Sequence, residues 1–236
     1  LGDVYKRQTW NRQFKRWVNK DSKGIAVFDP KGRRNTLKYY FDVSDTHEGY
    51  YGSRPVPIWQ MDERYEQTVM ERLSDRFGDV ESTDLASALM ETAKNAVEDN
   101  LQDYFSQLKD CTKDSFLEEL DELNVGVRLR DTLSSSIAYT LLSRCGADME
   151  LWKDEQGFEY ISDFNTMKTL SVVGTATTDM CKPLLMEIGR TIGAYDRQIA
   201  RRKAQEKANA GRTQTSLEYT EKVLANEPNI DYNALK

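Results

Sequence analysis

The sequence predicts an α+β fold that is mostly α: a helical bundle with one small β-hairpin near the N-terminus. Two observations lead to this prediction. After residue 62, apolar side chains recur every three or four residues over most of the chain, which is the period of helices that bury one face. Before that point, two β-rich runs, Ile25–Phe28 and Leu37–Val43, flank the turn sequence Asp29-Pro30-Lys31-Gly32.

The first eight residues, Leu1–Gln8, are interpreted as a sequencing remnant rather than as part of the fold. Residues 3–8 correspond to the codons GAT GTG TAT AAG AGA CAG, which resemble the mosaic end that transposase-based library preparation leaves at a read end. Such a segment is set aside in reasoning about the fold. We therefore expect a metagenomic fragment whose natural N-terminus is missing; the alternative is an ordinary basic tail.

Residues 9–57 are predicted to form a truncated helix followed by the hairpin. Thr9–Lys20 is expected to be the end of a helix, because Trp10, Phe14 and Trp17 recur at helical spacing and would form one aromatic stripe. The hairpin follows, and the residues from Ser44 to Pro57 are predicted to be a loop.

Residues 62–209 are predicted to form the helical bundle, and residues 210–236 a linker and the start of a further segment. Ser115 and Glu118 have the spacing of a capping box, and Gly126 is expected to break the next helix. The helices predicted from apolar stripes are Asp62–Phe77, Asp84–Leu108, Arg128–Cys145 and a long one from Thr178 to Ala210.

The last predicted helix carries the most regular stripe in the chain. Gly189 and Gly193 within it form a G-x-x-x-G pair, which the surrounding charges favour as a close helix contact in a bundle rather than a membrane dimer face. No apolar run approaches the ~20 residues that a membrane span needs, so no membrane partner is expected. The stripe consists of Met180, Leu184, Ile188, Ile192, Tyr195 and Ile199.

The net charge of −6 conceals a strong segregation of charge along the chain. Residues 9–42 contain nine basic and three acidic side chains, residues 62–122 contain six and eighteen, and residues 190–212 contain seven and two. Two basic regions favour contact with a polyanion, although charge runs are often only solvated faces. The three cysteines are far apart and form no CxxC, which favours reduced, structural thiols in the cytoplasm.

Catalytic signatures are missing: the chain has no phosphate-binding glycine loop, no G-x-S-x-G and no H-E-x-x-H. With a single histidine, the best available metal or acid–base cluster is Asp42, Asp45, His47 and Glu48. Aspartate and serine are also ordinary turn formers, so this cluster is equally explained as a turn. We expect no metal, no cofactor and no enzymatic activity.

Basic and aromatic residues alternate between Trp10 and Phe41. Lysine and arginine neutralise phosphates, and exposed aromatic rings stack on unpaired bases, which is the chemistry of single-strand binders. The alternative is that the aromatic rings form a core while the charges solvate its outer face. The predicted phosphate ligands are Arg12, Lys15, Arg16, Lys23, Lys31, Arg33, Arg34 and Lys38, with Trp10 and Trp17 as candidate stacking residues.

Five stretches of the chain resemble the N-terminal region of very large proteins carried by integrative conjugative elements of gut Firmicutes. The stretches are WNRQFKRWVNKDSKGIAVFD (10–29), YYFDVSDTH (39–47), FLEELDELN (116–124), LSSSIAYTLLSRCGAD (133–148) and CKPLLMEIGRTIGAYDR (181–197). The resemblance implies a parent protein whose later parts hold helicase and N6-adenine DNA methyltransferase modules, and neither set of motifs is present here. The first stretch is similar, more weakly, to the single-stranded-DNA-binding domain of ArdC-type antirestriction proteins, with Lys23-Gly24-Ile25 at the entry to its hairpin.

The leading functional prediction is therefore a non-catalytic DNA-binding accessory module of a mobile-element protein, with single-stranded DNA favoured. Other domains of the same parent chain are the second expected partner. The alternative is a helical scaffold that docks those domains or a conjugation partner, using the stripe from Met180 to Ile199 and the acidic middle of the chain. A metal-dependent enzyme centred on residues 42–48 is a third reading.

Overall fold

The fold is α+β and mostly helical, as predicted, with a small antiparallel β region near the N-terminus. The computed structural model describes residues 4–29, 36–54, 56, 58–154 and 157–225, and in the last helix it describes side chains as far as residue 209. We call residues 4–54 the N-terminal lobe. The helices that follow form a bundle with a separate core.

In its described residues, the lobe contains five short strands and a helical turn. The elements are β1 (Val4–Lys6), α1 (Arg7–Thr9), β2 (Arg16–Val18), β3 (Ile25–Asp29), β4 (Thr36–Asp42) and β5 (Thr46–Glu48). The predicted hairpin is confirmed, because β3 pairs antiparallel with β4 and places Ile25 opposite Tyr40. β4 is the central strand of a sheet with the order β1-β4-β3, and β2 pairs with β5 in a second, two-stranded sheet.

The prediction of a helix over Thr9–Lys20 is wrong in its second half. α1 continues into a π-helical turn, Trp10–Phe14, and Lys15 then ends the helical segment in the left-handed region with a φ of 56°. The next residues leave as β2, which pairs with β5 inside the stretch predicted to be a loop. Tertiary pairing overrides the helical spacing of the aromatic residues here, so Trp17 does not continue the stripe of Trp10 and Phe14.

β1 lies within the segment interpreted from the sequence as a sequencing remnant. The structure pairs Tyr5 with Phe41 of β4 and packs its ring 5.2 Å from those of Trp10 and Phe14. The indole N–H of the fully buried Trp10 donates to the Phe41 carbonyl at 2.9 Å, which fixes the helical turn onto the sheet. The origin of residues 1–8 stays a prediction, but residues 4–6 belong to the packing of the lobe.

The described part of the bundle consists of four long helices and one short one. Each of the first three helices begins at an aspartate (Asp62, Asp84 or Asp121) whose carboxylate accepts from a backbone N–H of the first turn. The helices are α2 (Glu63–Phe77), α3 (Leu85–Lys109), α4 (Glu122–Cys145), α5 (Glu150–Asp154) and α6 (Met167–Ala225).

Polar contacts define the directions of the long helices. Tyr65 bonds to Asp196 and Arg72 bonds to Glu187, so α2 is antiparallel to α6. Ion pairs between Lys109 and Glu122 and between Arg130 and Glu98 make α3 antiparallel to α4. The bond of Tyr104 to Asp179, together with the cleft shared by Asn100 and Pro183, makes α3 antiparallel to α6. The bundle therefore runs up, up, down, down, so the segments that lead into α3 (78–84) and into α6 (146–166) must return along its length.

The predicted break at Gly126 is absent, and α4 runs through it from Glu122. Gly126 faces the ring of Phe105 on α3, where a Cβ would lie 3.7 Å from that ring in ordinary contact, so helix packing does not require glycine there. The predicted capping box at Ser115 also differs: Ser115 caps a short 3-10 turn, while Glu118 accepts from the N–H of Asp114.

The regular stripe of α6 is buried, as its spacing predicted. Met180, Leu184, Ile188 and Ile192 lie in the bundle core, each at most 4% exposed. The helix is longer than predicted at both ends, because it starts at Met167 and continues to Ala225 through the segment expected to be a linker. The described surface beyond residue 199 is exposed and strongly basic.

Trp59 attaches the segment that follows the lobe to the helices of the bundle. A Cβ at Gly189 would lie 2.6 Å from the indole nitrogen of Trp59 and 2.7 Å from Cδ1, so the absence of a side chain creates the notch that holds the ring. The guanidinium of Arg144 lies 3.7 Å from the centre of the same ring and donates to the Trp59 carbonyl at 2.8 Å. The predicted close contact at Gly189 is therefore with a connecting segment rather than with another helix.

We expect Gly189→Ala to displace the ring of Trp59, whereas Gly174→Ala on the same helix should stabilise the protein. Both changes gain up to ~1 kcal/mol of helix propensity. Nothing lies within 4 Å of a Cβ at Gly174, so only the change at Gly189 moves a neighbour. Thermal unfolding followed by circular dichroism measures the difference.

The same pair of changes made in a Trp59→Ala background provides the control. If the ring is the cause, Gly189→Ala becomes as favourable as Gly174→Ala once the ring is gone, as a double-mutant cycle requires. Equal effects of the two glycine changes in both backgrounds would contradict this account of Gly189.

Candidate nucleic-acid interface

Two segments of the lobe that are distant in sequence are held side by side by backbone hydrogen bonds. The N–H of Gly49 donates to the Lys15 carbonyl at 3.2 Å, and that of Arg54 donates to the Phe14 carbonyl at 2.8 Å. Between them, the N–H of Gly52 donates to the Gly49 carbonyl at 2.9 Å and closes a tight turn. The turn after β5 therefore projects next to the end of the π-helical turn.

The projecting turn presents two exposed aromatic rings. Tyr50 and Tyr51 are 97% and 98% exposed, and their ring centres lie 5.2 Å apart in an edge-to-face arrangement. Trp17, which is 43% exposed, lies against Gly49, where any Cβ would collide with the indole ring. Three aromatic side chains are thus displayed together rather than buried.

Three exposed cations lie on the same two segments of the lobe. Arg12 lies on the π-helical turn, Lys15 ends it, and Arg54 follows the tyrosine turn. Lys15 holds a positive φ, a conformation in which a residue with a side chain costs about 1 kcal/mol relative to glycine. We define the basic-aromatic surface as Trp17, Tyr50 and Tyr51 together with these three cations.

Two of the predicted site residues have structural roles instead. Trp10 is fully buried and its indole N–H is already bonded, so it offers no face to a base. The guanidinium of Arg16 donates from Nε to the Thr46 hydroxyl at 2.8 Å and from a terminal nitrogen to the Thr46 carbonyl at 3.0 Å. It also pairs with Glu48 at 3.5 Å, so Arg16 ties β2 to β5 and its guanidinium is already engaged within the lobe.

The remaining predicted cations belong to the hairpin. Lys23 is exposed and lies two residues before β3 begins, and Lys38 is half-buried on β4 opposite Val27. Lys31, Arg33 and Arg34 lie outside the described residues. The basic-aromatic surface therefore keeps Arg12, Lys15 and Trp17 from the sequence prediction.

Sequence reasoning missed Tyr50, Tyr51 and Arg54, since they fall in a stretch predicted to be a plain loop. The signal that could have identified them is the sequence Gly49-Tyr50-Tyr51-Gly52, in which two large rings lie between residues typical of turns. Because a turn encloses no interior, it cannot bury these two rings.

The acidic cluster at the end of β4 forms a turn. The Asp42 carboxylate accepts from the N–H of Ser44, and Asp45 accepts from the N–H of Asp42 at 3.1 Å. His47 Nδ1 lies 2.7 Å from the Asn19 amide oxygen. Within the described part of the chain, no three histidine, cysteine, aspartate or glutamate side chains come close enough to hold a metal ion.

A second positive region lies where α2 meets α6, around the buried carboxylate of Glu187. Arg72 contacts this carboxylate at 2.8 Å, Arg76 at 3.2 Å and Arg190 at 3.5 Å. The hydrogen bond from Arg72 and the nearby charge of Arg76 hold the pKa of Glu187 below its ordinary value. One carboxylate faces three half-exposed guanidinium groups, so the cluster keeps an excess of positive charge.

The cysteines behave as structural thiols. All three are free, and Cys145 and Cys181 are buried. Burial raises the pKa of Cys145 to about 12 and that of Cys181 to about 11, so both thiols stay protonated and weakly reactive near neutral pH.

Comparison with known proteins assigns no family to this chain. No family model, no curated protein and no solved structure matches it. Among the helices in the described part of the chain, none has an apolar stretch long enough to cross a membrane.

We expect Glu187→Gln to lower the free energy of unfolding at pH 7 by about 1–2 kcal/mol, because a charged acceptor of hydrogen bonds is removed. The folded-state pKa of Glu187 lies below the ordinary 4.5, so its contribution is complete above that value and disappears as the pH falls through the folded-state pKa. The free energies of unfolding of the two proteins in urea should therefore converge as the pH falls below about 5.

The matched control is Glu206→Gln. Glu206 pairs with Arg202 at 3.0 Å on the exposed tail of α6, with both side chains more than 60% exposed, so this change should have little effect at any pH. If the difference in free energy of unfolding between the wild type and Glu187→Gln did not become smaller at acid pH, the assignment of a depressed pKa would be contradicted.

Proposed function

We propose that this chain binds single-stranded DNA as a non-catalytic module of a larger DNA-processing protein. The observation that carries the proposal is the basic-aromatic surface, in which exposed rings and exposed cations are fixed side by side by backbone hydrogen bonds. Cations track the phosphates of a strand, while rings stack on bases that are not paired.

The sequence resemblance supports the same proposal from an independent direction. The stretches at residues 10–29 and 39–47, which resemble mobile-element proteins, form most of the lobe beneath this surface. In such a parent protein the module would hold a strand near helicase and methyltransferase domains on the same chain. The exposed basic tail of α6 (Arg201, Arg202, Lys203 and Lys207) would add sequence-independent attraction.

The double change Lys15→Gly and Arg54→Ala is expected to weaken binding to a labelled oligonucleotide and to flatten its salt dependence. For a single strand, the slope of log affinity against log salt falls by about 0.7 for each phosphate that is no longer neutralised, so removing two cations reduces it by about 1.4. Glycine is chosen at position 15 because it accepts the positive φ there, which separates the effect of charge from any effect on stability. Fluorescence anisotropy across a salt series measures the slope.

The control carries the same change in net charge at the other end of the bundle. Lys113 and Lys168 are exposed near the start of α6, and Lys113→Ala with Lys168→Ala should leave the slope nearly unchanged. Equal slopes for both double variants would mean that Lys15 and Arg54 do not touch phosphates.

Replacing both tyrosines of the turn should reduce the preference for single strands. Base stacking contributes about 1–3 kcal/mol per base, so Tyr50→Ser with Tyr51→Ser is expected to lower single-strand affinity by about tenfold or more. Duplex affinity should change little, because paired bases cannot stack on these rings. Parallel titrations with an oligonucleotide and its duplex measure both quantities.

Phe116→Ser serves as the control for removing an exposed ring, since Phe116 is 64% exposed on the 3-10 turn before α4. It should leave both affinities unchanged. An equal reduction on the single strand and on the duplex after the tyrosine changes would exclude stacking as the role of the turn.

A further inference from the structure

An open groove of about 900 Å³ lies where the lobe meets the bundle. Its long wall is α6, α4 contributes only Thr140 and Arg144, and Tyr5 and Trp59 lie along its lobe side. Along α6 the lining runs from Thr177 to Arg197, roughly 30 Å at 1.5 Å per residue. A groove of this length along one helix has room for a further helix packed beside it.

The floor of the groove is aliphatic and sulfur-rich. Met186 is 45% exposed within it, and the half-buried Leu185 and the buried Cys181 lie beside it. Methionine adapts to apolar partners of different shape. The hydroxyl of Thr177, on the same wall, has no hydrogen-bond partner among the described residues.

The charges on the groove all have one sign. Four cations line it, and among the described residues no carboxylate does. Arg190 is partly neutralised by Glu187, and Arg144 is stacked on Trp59. The other two cations, Lys182 and Arg197, form no ion pair with any residue that the structure describes. A ligand that complements the charge of this groove is therefore negatively charged.

The lining argues for an acidic peptide rather than for a nucleic acid. A strand bound here would need free aromatic faces for its bases. The ring of Tyr5 is already packed against Trp10 and Phe14, and Trp59 is held between Arg144 and Gly189. What remains exposed is an aliphatic floor between cationic walls, which matches the apolar and acidic faces of an amphipathic helix.

We propose that this groove docks an acidic amphipathic helix of a protein partner. Apolar side chains at helical spacing enter over Met186 and Leu185, and carboxylates on the flanks pair with Lys182 and Arg197. The site is distinct from the basic-aromatic surface, so a strand and a partner helix can be bound at the same time.

The test begins with a displayed library of helical peptides, each about 18 residues long so that it spans the groove at 1.5 Å per residue. Leucine is fixed along one face, and the flanking positions are randomised among glutamate, glutamine and lysine. The library is selected on the whole chain, with counter-selection on the Met186→Glu variant, which places a carboxylate on the groove floor. We expect glutamate to be enriched at the flanks. Enrichment of lysine, or no enrichment, overturns the proposal.

The most enriched peptide is then labelled and titrated against three proteins by fluorescence anisotropy. Met186→Glu should weaken its binding at least tenfold. Leu170→Glu, on the same helix and 43% exposed but outside the groove, should change it less than twofold. Equal effects of both variants overturn the proposal, provided circular dichroism shows that both are folded.

Two further measurements test whether nucleic acid or a second copy of the chain occupies the groove instead. A labelled oligonucleotide whose affinity falls tenfold with Met186→Glu would assign the groove to nucleic acid and overturn the proposal. Sedimentation showing a dimer of the wild-type chain that Met186→Glu dissociates would assign it to a second copy, with the same consequence. Unchanged oligonucleotide binding and a monomer in both proteins are the results expected.

Discussion

The contact of Trp59 with Gly189 and Arg144 is the constraint on which the arrangement of this molecule depends. The chain that leaves the lobe crosses α6 where the helix has no side chain, and it is held there by a stacked guanidinium from α4. Among the described residues, no comparable packing joins the strands of the lobe to the bundle, whose core contains only residues from Trp59 onward. The seating of this ring therefore fixes where the connecting segment meets the bundle, beside the groove that Tyr5 also lines.

Positive charge gathers around this junction although the chain as a whole is acidic. Glu187 is buried beneath three arginines, and a single carboxylate cannot neutralise them. The negative charge is concentrated along the middle of the sequence, between residues 62 and 122. The two positive surfaces differ in what lies between their charges: free rings on the lobe, and aliphatic side chains in the groove. That difference separates a surface suited to bases from one suited to an apolar helix face.

The long helices could be predicted from the sequence because burial of one face repeats the same spacing many times. Short elements offer no such repetition: β2 and β5 have three residues each and gain their stability from each other, so neither has a pattern of its own. Trp10 and Trp17 share a helical spacing, yet one is buried and the other exposed, because the chain turns at Lys15 between them. The sequence therefore predicted more of the cations of the candidate site than of its aromatic rings. Arg12 and Lys15 keep exposed positions, whereas the tyrosine turn depends on a pairing that only the folded chain displays.

The backbone of Lys15 connects folding to the proposed function. A glycine at this position would reach the left-handed conformation without strain, and the reversal from π-helical turn to β2 would still form. Lysine instead costs about 1 kcal/mol there and leaves its ammonium group in solvent beside the tyrosine turn. The carbonyl of the same residue accepts the hydrogen bond that positions that turn. One residue thus fixes the aromatic rings through its backbone and supplies a charge next to them through its side chain. Lys15 thus combines a mildly strained backbone with an exposed charge, the combination that the proposed binding role would use.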